Sequence, residues 1–339
     1  MFATLSLPAG HELPAPQGAP TVRVRSADEL CNALRRARAR ALTLDGSGMD
    51  RVLRIDAARG LIEVQAATSW AVLAAQLAPH GVPLEPFARL SALPATVGEA
   101  VSLAAAGPDG LPVAAHVTAL TLATPDGELR RADRDANREL LKTVLGGQGV
   151  IGVLYSLTLS VESLRRSAAS ASAAVELDIP AATAPRAAAW SARYLLPPDQ
   201  LDAFLKDVRA LVEERRPALL GISVRRYLPD ASCRLNWATR EWAGVQLRFG
   251  IRTTVGASVG ATEVRRLLLA AALARGGSFP ISEARDATRS QLALCYPMLG
   301  EFLAEKRCVD PAGRLHNAWY RDMTAKLRTE PCDVRWGRA

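Results

Sequence analysis

Residues 134–161, RDANRELLKTVLGGQGVIGVLYSLTLSV, decide how this chain is read. Gly147, Gly149 and Gly152 form a literal G-x-G-x-x-G, the spacing of a dinucleotide-binding turn. A Rossmann turn leaves a strand and opens a helix, because the pyrophosphate rests on the amides of that helix's first turn. Here the order runs the other way. Arg134 to Leu145 carries helix-forming residues, and Val150 to Val161 is a run of β-branched, aromatic and aliphatic residues that predicts a strand. The stretch therefore predicts a helix, a glycine turn and a strand, with backbone laid close to a nucleotide outside a Rossmann fold. An NAD(P) dehydrogenase of the Rossmann type would need a helix after Gly152.

Working toward the N-terminus, residues 1–15 read as an extended lead-in. Val22 to Arg25 reads as a short strand and Ser26 to Arg40 as a helix opened by a Ser26-x-x-Glu29 capping box. A strand Ala41 to Leu44 follows and ends in Asp45-Gly46-Ser47-Gly48. That is a βαβ start. Arg51 to Ile55 and Leu61 to Ala66 predict a hairpin, Ser69 to His80 a helix, and Val117 to Thr124 another strand. Toward the C-terminus, residues 164–189 are rich in Ala, Ser and Pro, enclose one strand-like piece, and mark a domain boundary. The pattern then restarts with strands Ala192 to Leu196, Leu219 to Tyr227 and Gly244 to Thr253, and helices Pro198 to Arg215 and Ala261 to Ala274. This order suits an antiparallel sheet covered by helices. Ser290 to Leu327 reads as helix, Asp-Pro turn, helix. The expected class is α+β, with a first domain over 1–165, a second over 166–290, and a helical segment 291–339 returning to the first.

A chain of 339 residues exceeds the roughly 250–300 that one core supports, which agrees with two domains. The net charge of +8 comes from arginines dispersed along helices, as in LRRARAR (34–40) and VEERR (212–216), and only 5% of residues are aromatic. Nucleic-acid binding needs a concentrated basic stripe, so it is not expected. The balance leaves attraction toward anionic ligands, and toward lipid head groups in a peripheral membrane association. No run of about 18 apolar residues predicts a transmembrane segment, and the opening residues lack the pattern of a secretory signal, so the expected location is cytoplasmic. Cys31, Cys233, Cys295, Cys308 and Cys332 include no C-x-x-C, and neither a disulfide framework nor a metal site is expected. No G-x-x-x-x-G-K-[ST], H-E-x-x-H or G-x-S-x-G occurs, which leaves phosphoryl transfer, zinc proteolysis and serine hydrolysis without support.

Three further stretches join the glycine turn in a fixed order. The first is Leu44-Asp45-Gly46-Ser47-Gly48 after a strand. The second is Pro94-Ala95-Thr96-Val97-Gly98-Glu99-Ala100-Val101-Ser102, with Gly107 beyond it. The last is Tyr296-Pro297 and Phe302, then Val309-Asp310-Pro311-Ala312-Gly313-Arg314-Leu315-His316-Asn317. Together the four resemble the FAD-linked oxidases of the vanillyl-alcohol oxidase and p-cresol methylhydroxylase superfamily. The tail is similar to that of alditol and aldonolactone oxidases and of decaprenylphosphoryl-ribose oxidases. The resemblance implies a PCMH-type FAD-binding domain of two α+β subdomains, and a cap domain whose antiparallel sheet covers the flavin.

It further implies that Gly46, Ser47, Gly48 and Met49 wrap the FAD pyrophosphate, and that Thr96, Val97, Gly98, Ser102 and Gly107 approach the pyrophosphate and ribityl chain. Gly147, Gly149, Gly152 and Val153 would approach the adenine, Val153 through its backbone. The implied activity is removal of a hydride from an alcohol, polyol or sugar-like small-molecule substrate, with electrons passed to oxygen or an external acceptor. Asn317, with His316 beside it, falls where the tail approaches the flavin edge, and Glu283 falls where the decaprenylphosphoryl-ribose oxidases carry a lysine. Arg225 and Arg226, at the end of a cap strand, are candidates to meet an anionic substrate.

The sequence departs from the family at several points. Met49 stands where some members link FAD through His, so a non-covalent cofactor is expected. Gly98-Glu99 replaces Gly-Gly and sets a carboxylate near the phosphates. Ala106-Gly107 replaces His-Gly, and few residues separate Gly48 from the next strand. These substitutions support a second reading: a degenerate member that keeps the fold, has lost flavin binding or turnover, and serves in binding or assembly.

Overall fold

A computed structural model describes residues 21–37, 43–90, 93–177, 188–251 and 254–327. The lead-in and Cys332 lie outside them. The chain forms two compact units. One contains residues 1–171, 231–236 and 298–339, and the other residues 172–230 and 237–297.

In the first unit β1 (Thr21–Arg23) pairs in parallel with β2 (Thr43–Asp45), and the helix Ala27–Arg36 connects them. Ser26 caps that helix by accepting from the Glu29 amide. The expected capping box is only half formed, because the Glu29 carboxylate reaches one residue further back, to the Arg25 amide at 2.8 Å. The hairpin of β3 (Val52–Asp56) and β4 (Leu61–Gln65) begins an antiparallel sheet that also holds β5 (Val117–Ala123), β6 (Leu129–Asp133) and β7 (Val153–Ser160), in the order β3-β4-β7-β5-β6. β7 is central and buried along its length: Val153, Leu154, Leu157 and Leu159 are buried, and so are Ser156 and Thr158 between them. β7 runs directly into a helix, Val161–Ala169, capped by Ser160, and residues 164–169 of the stretch read as a boundary belong to that helix.

The second unit is a four-stranded antiparallel sheet, β8 (Val175–Leu177), β9 (Ala188–Leu196), β10 (Ala218–Tyr227) and β11 (Trp242–Ile251), in the order β8-β10-β11-β9. Residues paired directly across an antiparallel ladder share a face. Tyr194, Val245 and Val224 therefore share one face with the buried Ala192, Leu247 and Phe249. The helices Leu201–Arg215 and Val255–Ala274 cover that face; Tyr194 meets Phe204, with ring centroids 5.7 Å apart, and donates to the Arg265 carbonyl. Arg193, Ser223, Arg225 and Gln246 fall on the opposite face. Arg225 and Arg226 thus separate: Arg225 is buried, whereas Arg226 is exposed and holds Glu241 bidentately at 2.7 and 2.9 Å. The C-terminal stretch contains three helices, Arg289–Cys295, Leu299–Val309 and Ala318–Leu327, because Pro297 interrupts what the pattern read as its first helix.

Candidate functional site

The first glycine turn begins where β2 ends. Asp45 accepts from the Ser47 amide at 2.9 Å; the Ser47 hydroxyl first, and then that amide, hold its carboxyl below the usual carboxylate range, and Met49 closes the turn by donating to the Gly46 carbonyl at 2.9 Å. Met49 is 3% exposed. Its side chain belongs to a core that includes Leu44, Val153 and Leu315, so residues from three of the four motifs bury one another. A side chain at Gly48 would meet the Val24 carbonyl at 2.9 Å.

The second motif lies against the end of β4. Val97 donates to the Thr68 carbonyl and Gly98 to that of Ala66, at 2.9 and 2.8 Å. Thr96 then caps the short helix Val97–Ser102, its hydroxyl accepting from the Glu99 amide at 3.3 Å. Glu99 sits in that first turn with a half-buried carboxyl, which burial pushes above its ordinary range; among the described residues it forms no ion pair. Gly107 is buried further along, and its amide donates to the Leu111 carbonyl at 2.7 Å.

The opening motif has the predicted order. The helix Arg138–Val144 ends, the glycine turn follows, and β7 starts at Val153, so the strand after Gly152 excludes a Rossmann fingerprint. Two bonds tie this turn to the second motif: Gly146 donates to Val101 at 3.0 Å and Gln148 to Ser102 at 2.9 Å. Gly147 donates back to Val144 at 3.1 Å. Gly152 is fixed by close approach, since a Cβ there would stand 2.4 Å from Leu122 Cδ1. Val153 pairs with Ala123 in β5.

The tail completes the cluster. Asp310 is buried at the end of the helix Leu299–Val309; it accepts from the Arg314 amide at 3.0 Å and the Leu315 amide at 2.8 Å, and the buried Lys306 ammonium bonds to it directly. That turn delivers Leu315 into the shared core and Asn317 to the glycine turn. The Asn317 amide donates to the Gln148 carbonyl at 2.8 Å, while its carbonyl oxygen accepts from the Tyr320 amide at 2.9 Å. His316 is half-buried with Nδ1 3.0 Å from the Gly313 carbonyl oxygen, and burial lowers its pKa. Glu283 belongs to the other unit. Its carboxylate accepts from the Arg193 amide on the edge strand β9 at 2.8 Å, with the Arg193 guanidinium 3.9 Å away. Burial raises its pKa and Arg193 opposes the rise. At this position Glu283 satisfies an edge amide of β9, where among the described residues the sheet order ends and only the bridge of Leu195 to Ser278 adds to it.

Gln148 is the residue that sequence reasoning missed. It is 2% exposed, has φ 56°, and bonds to Ser102, Gly146 and Asn317. It was hidden as a spacer between glycines; a polar residue enclosed by Gly-Gly and Gly was the only signal.

Among the described residues, the amides of Gly46, Gly48 and Gly149 donate to no protein acceptor. Free backbone N–H groups in glycine turns suit phosphate oxygens, so the donor set fits a phosphate-bearing cofactor such as FAD. Residues 21–133 match the model of a family described as "FAD binding domain". The match takes in the first two motifs and ends before the Gly-Gly-Gln-Gly turn and the tail. It indicates FAD as the cofactor and supports an FAD-dependent oxidoreductase as the class of protein. A search of curated proteins finds no match for the chain. Among the described residues no helix is long and apolar enough to cross a membrane, and no cluster of His, Cys, Asp and Glu could hold a metal ion.

Proposed function

We propose that this protein is an oxidoreductase that binds FAD without a covalent link and removes a hydride from an alcohol, polyol or sugar-like substrate. The observation that carries the reading is the convergence of the four motifs on one unit. The Gly46–Gly48 turn, the Thr96–Ser102 segment, the Gly146–Gly152 turn and Asn317 are joined by a shared core and by backbone bonds, although more than 250 residues of sequence separate the first from the last.

Bound FAD supplies a ring that accepts the hydride. In this reading the amides of Gly46 and Gly48, with Ser47, hold the pyrophosphate. Thr96, Gly98 and Ser102 line the approach to it, and the turn from Gly147 to Gly152 presents backbone to the adenine. Met49 offers no ring nitrogen for a covalent link and is enclosed in the core. His316, half-buried with Nδ1 at the Gly313 carbonyl, is the base this tail offers, and burial, which lowers its pKa, makes it a weaker one than a solvated imidazole. Glu283 has one oxygen committed to the Arg193 amide, which favours a role in fixing the edge of the second unit's sheet over that of a base.

The half-buried Glu99 carboxylate favours a second reading, in which the fold is kept and flavin binding is lost. Titration of purified protein with FAD, followed by absorbance and quenching of flavin fluorescence, separates the two. Saturable binding with bleaching by a panel of alcohols and sugars is expected; absence of any binding would sink the oxidoreductase reading.

A further inference from the structure

We infer that Asn317 is a positioning residue that latches the C-terminal tail onto the Gly-Gly-Gln-Gly turn and so sets the affinity for FAD. The inference rests on the FAD reading of that turn and names a determinant outside it.

Gln148 occupies the left-handed region at φ 56°, which a side chain with a Cβ disfavours. Its surroundings must hold it there, and they do so from three directions. Its amide donates to Ser102 at 2.9 Å, its side-chain amide donates to Gly146 at 3.2 Å, and its carbonyl accepts from Asn317 at 2.8 Å. The first two partners lie in the same turn or in the segment packed directly on it. Only Asn317 comes from the tail, 169 positions later. The peptide that follows the Gln148 carbonyl carries the amide of Gly149, one of the donors left for a phosphate-bearing ligand. Fixing that carbonyl fixes the plane of the peptide and hence the direction of the Gly149 N–H. Asn317 also accepts from Tyr320 at the start of the helix Ala318–Leu327. One side chain thus joins the start of the last helix to the orientation of a nucleotide-facing amide.

The two ends of the Asn317 amide can be tested apart. Asn317→Asp and Asn317→Ser both keep an oxygen for the Tyr320 amide, as good caps do, and both lose the side-chain N–H that donates to Gln148; the Ser hydroxyl sits on a shorter side chain and does not span both partners. FAD affinity is measured by fluorescence titration, melting temperature by scanning calorimetry, and amide exchange of residues 145–152 by mass spectrometry on ligand-free protein. The expected result is that Asn317→Ser binds FAD about 2–12-fold more weakly than wild type, the range that net loss of one hydrogen bond represents. Exchange in residues 145–152 should accelerate while the last helix keeps its protection. Asn317→Asp should be weaker still, because its carboxylate faces a carbonyl oxygen. Wild-type affinity together with wild-type exchange in Asn317→Ser would overturn the latch alone. Wild-type protein that takes up no FAD would overturn the flavin reading and the latch's function with it, whatever the exchange shows.

Discussion

Gly98 is pressed against Ala66: its amide donates to the Ala66 carbonyl at 2.8 Å, and a Cβ on it would stand 2.6 Å from that same oxygen and 2.7 Å from the Ala66 methyl. The second motif therefore needs glycine for the protein's own packing, before any ligand is considered. Gly98→Ala is expected to destabilise by about 1–3 kcal/mol, as overpacking does, read as a lower midpoint in urea unfolding. Adding Ala66→Gly should restore little, because the nearest obstacle is backbone. Full recovery in the double variant would show that the methyl alone was limiting.

Glu99 carries a pH dependence of definite sign. Its folded pKa lies above the ordinary value of 4.5, so the folded state binds more protons than the unfolded state just above that pH. Stability contributed at this position is present at low pH and is lost as pH rises through the raised pKa. Glu99→Gln should melt at a higher temperature than wild type at pH 7 and close to it at pH 4. If FAD phosphates lie near this turn, the same variant binds FAD more tightly at pH 7, since a like charge has been removed. Identical melting at both pH values would show that the carboxylate is well solvated.

Lys306 and Asp310 form a pair with side chains 0% and 1% exposed. Removing one partner leaves a buried charge, which costs about 3–5 kcal/mol. Lys306→Met should fall in that range. Asp310→Ala should cost more, because the Arg314 and Leu315 amides lose their acceptor as well. Calorimetric melting of both variants checks the order, and equal losses would mean that the turn finds water in place of the carboxylate.

Arg234 lies in the short excursion 231–236 that joins the first unit, and its guanidinium bonds directly to Glu305, with side chains 20% and 11% exposed. Thr143 sits between them, 3.3 Å from Arg234 and 3.4 Å from Glu305. A double-mutant cycle of Arg234→Ala and Glu305→Ala should give a coupling of about 1–3 kcal/mol. A coupling near zero would assign the excursion to its backbone bond, Arg234 donating to Lys142 at 2.9 Å.

The sequence by itself determined what each element is. Helix, glycine turn and strand were legible around Gly147 because apolar periodicity and β-branched composition act over a few residues. The same local logic gave the βαβ start, the hairpin before Gln65 and the Ser26 cap. The helix Val161–Ala169 was missed because it follows the strand without a break and runs into an Ala- and Ser-rich stretch, and the break at Pro297 because the flanking residues are all helix-compatible. Only the tertiary structure decided which motifs meet. The burial of Met49 against Val153 and Leu315, the separation of Arg225 from Arg226, the commitment of Glu283 to a strand edge and the latch of Asn317 on Gln148 all depend on partners chosen across long stretches of chain. Such pairings are set by shared core volume and by backbone donors that must find acceptors, and neither is written in the spacing of residues along one segment.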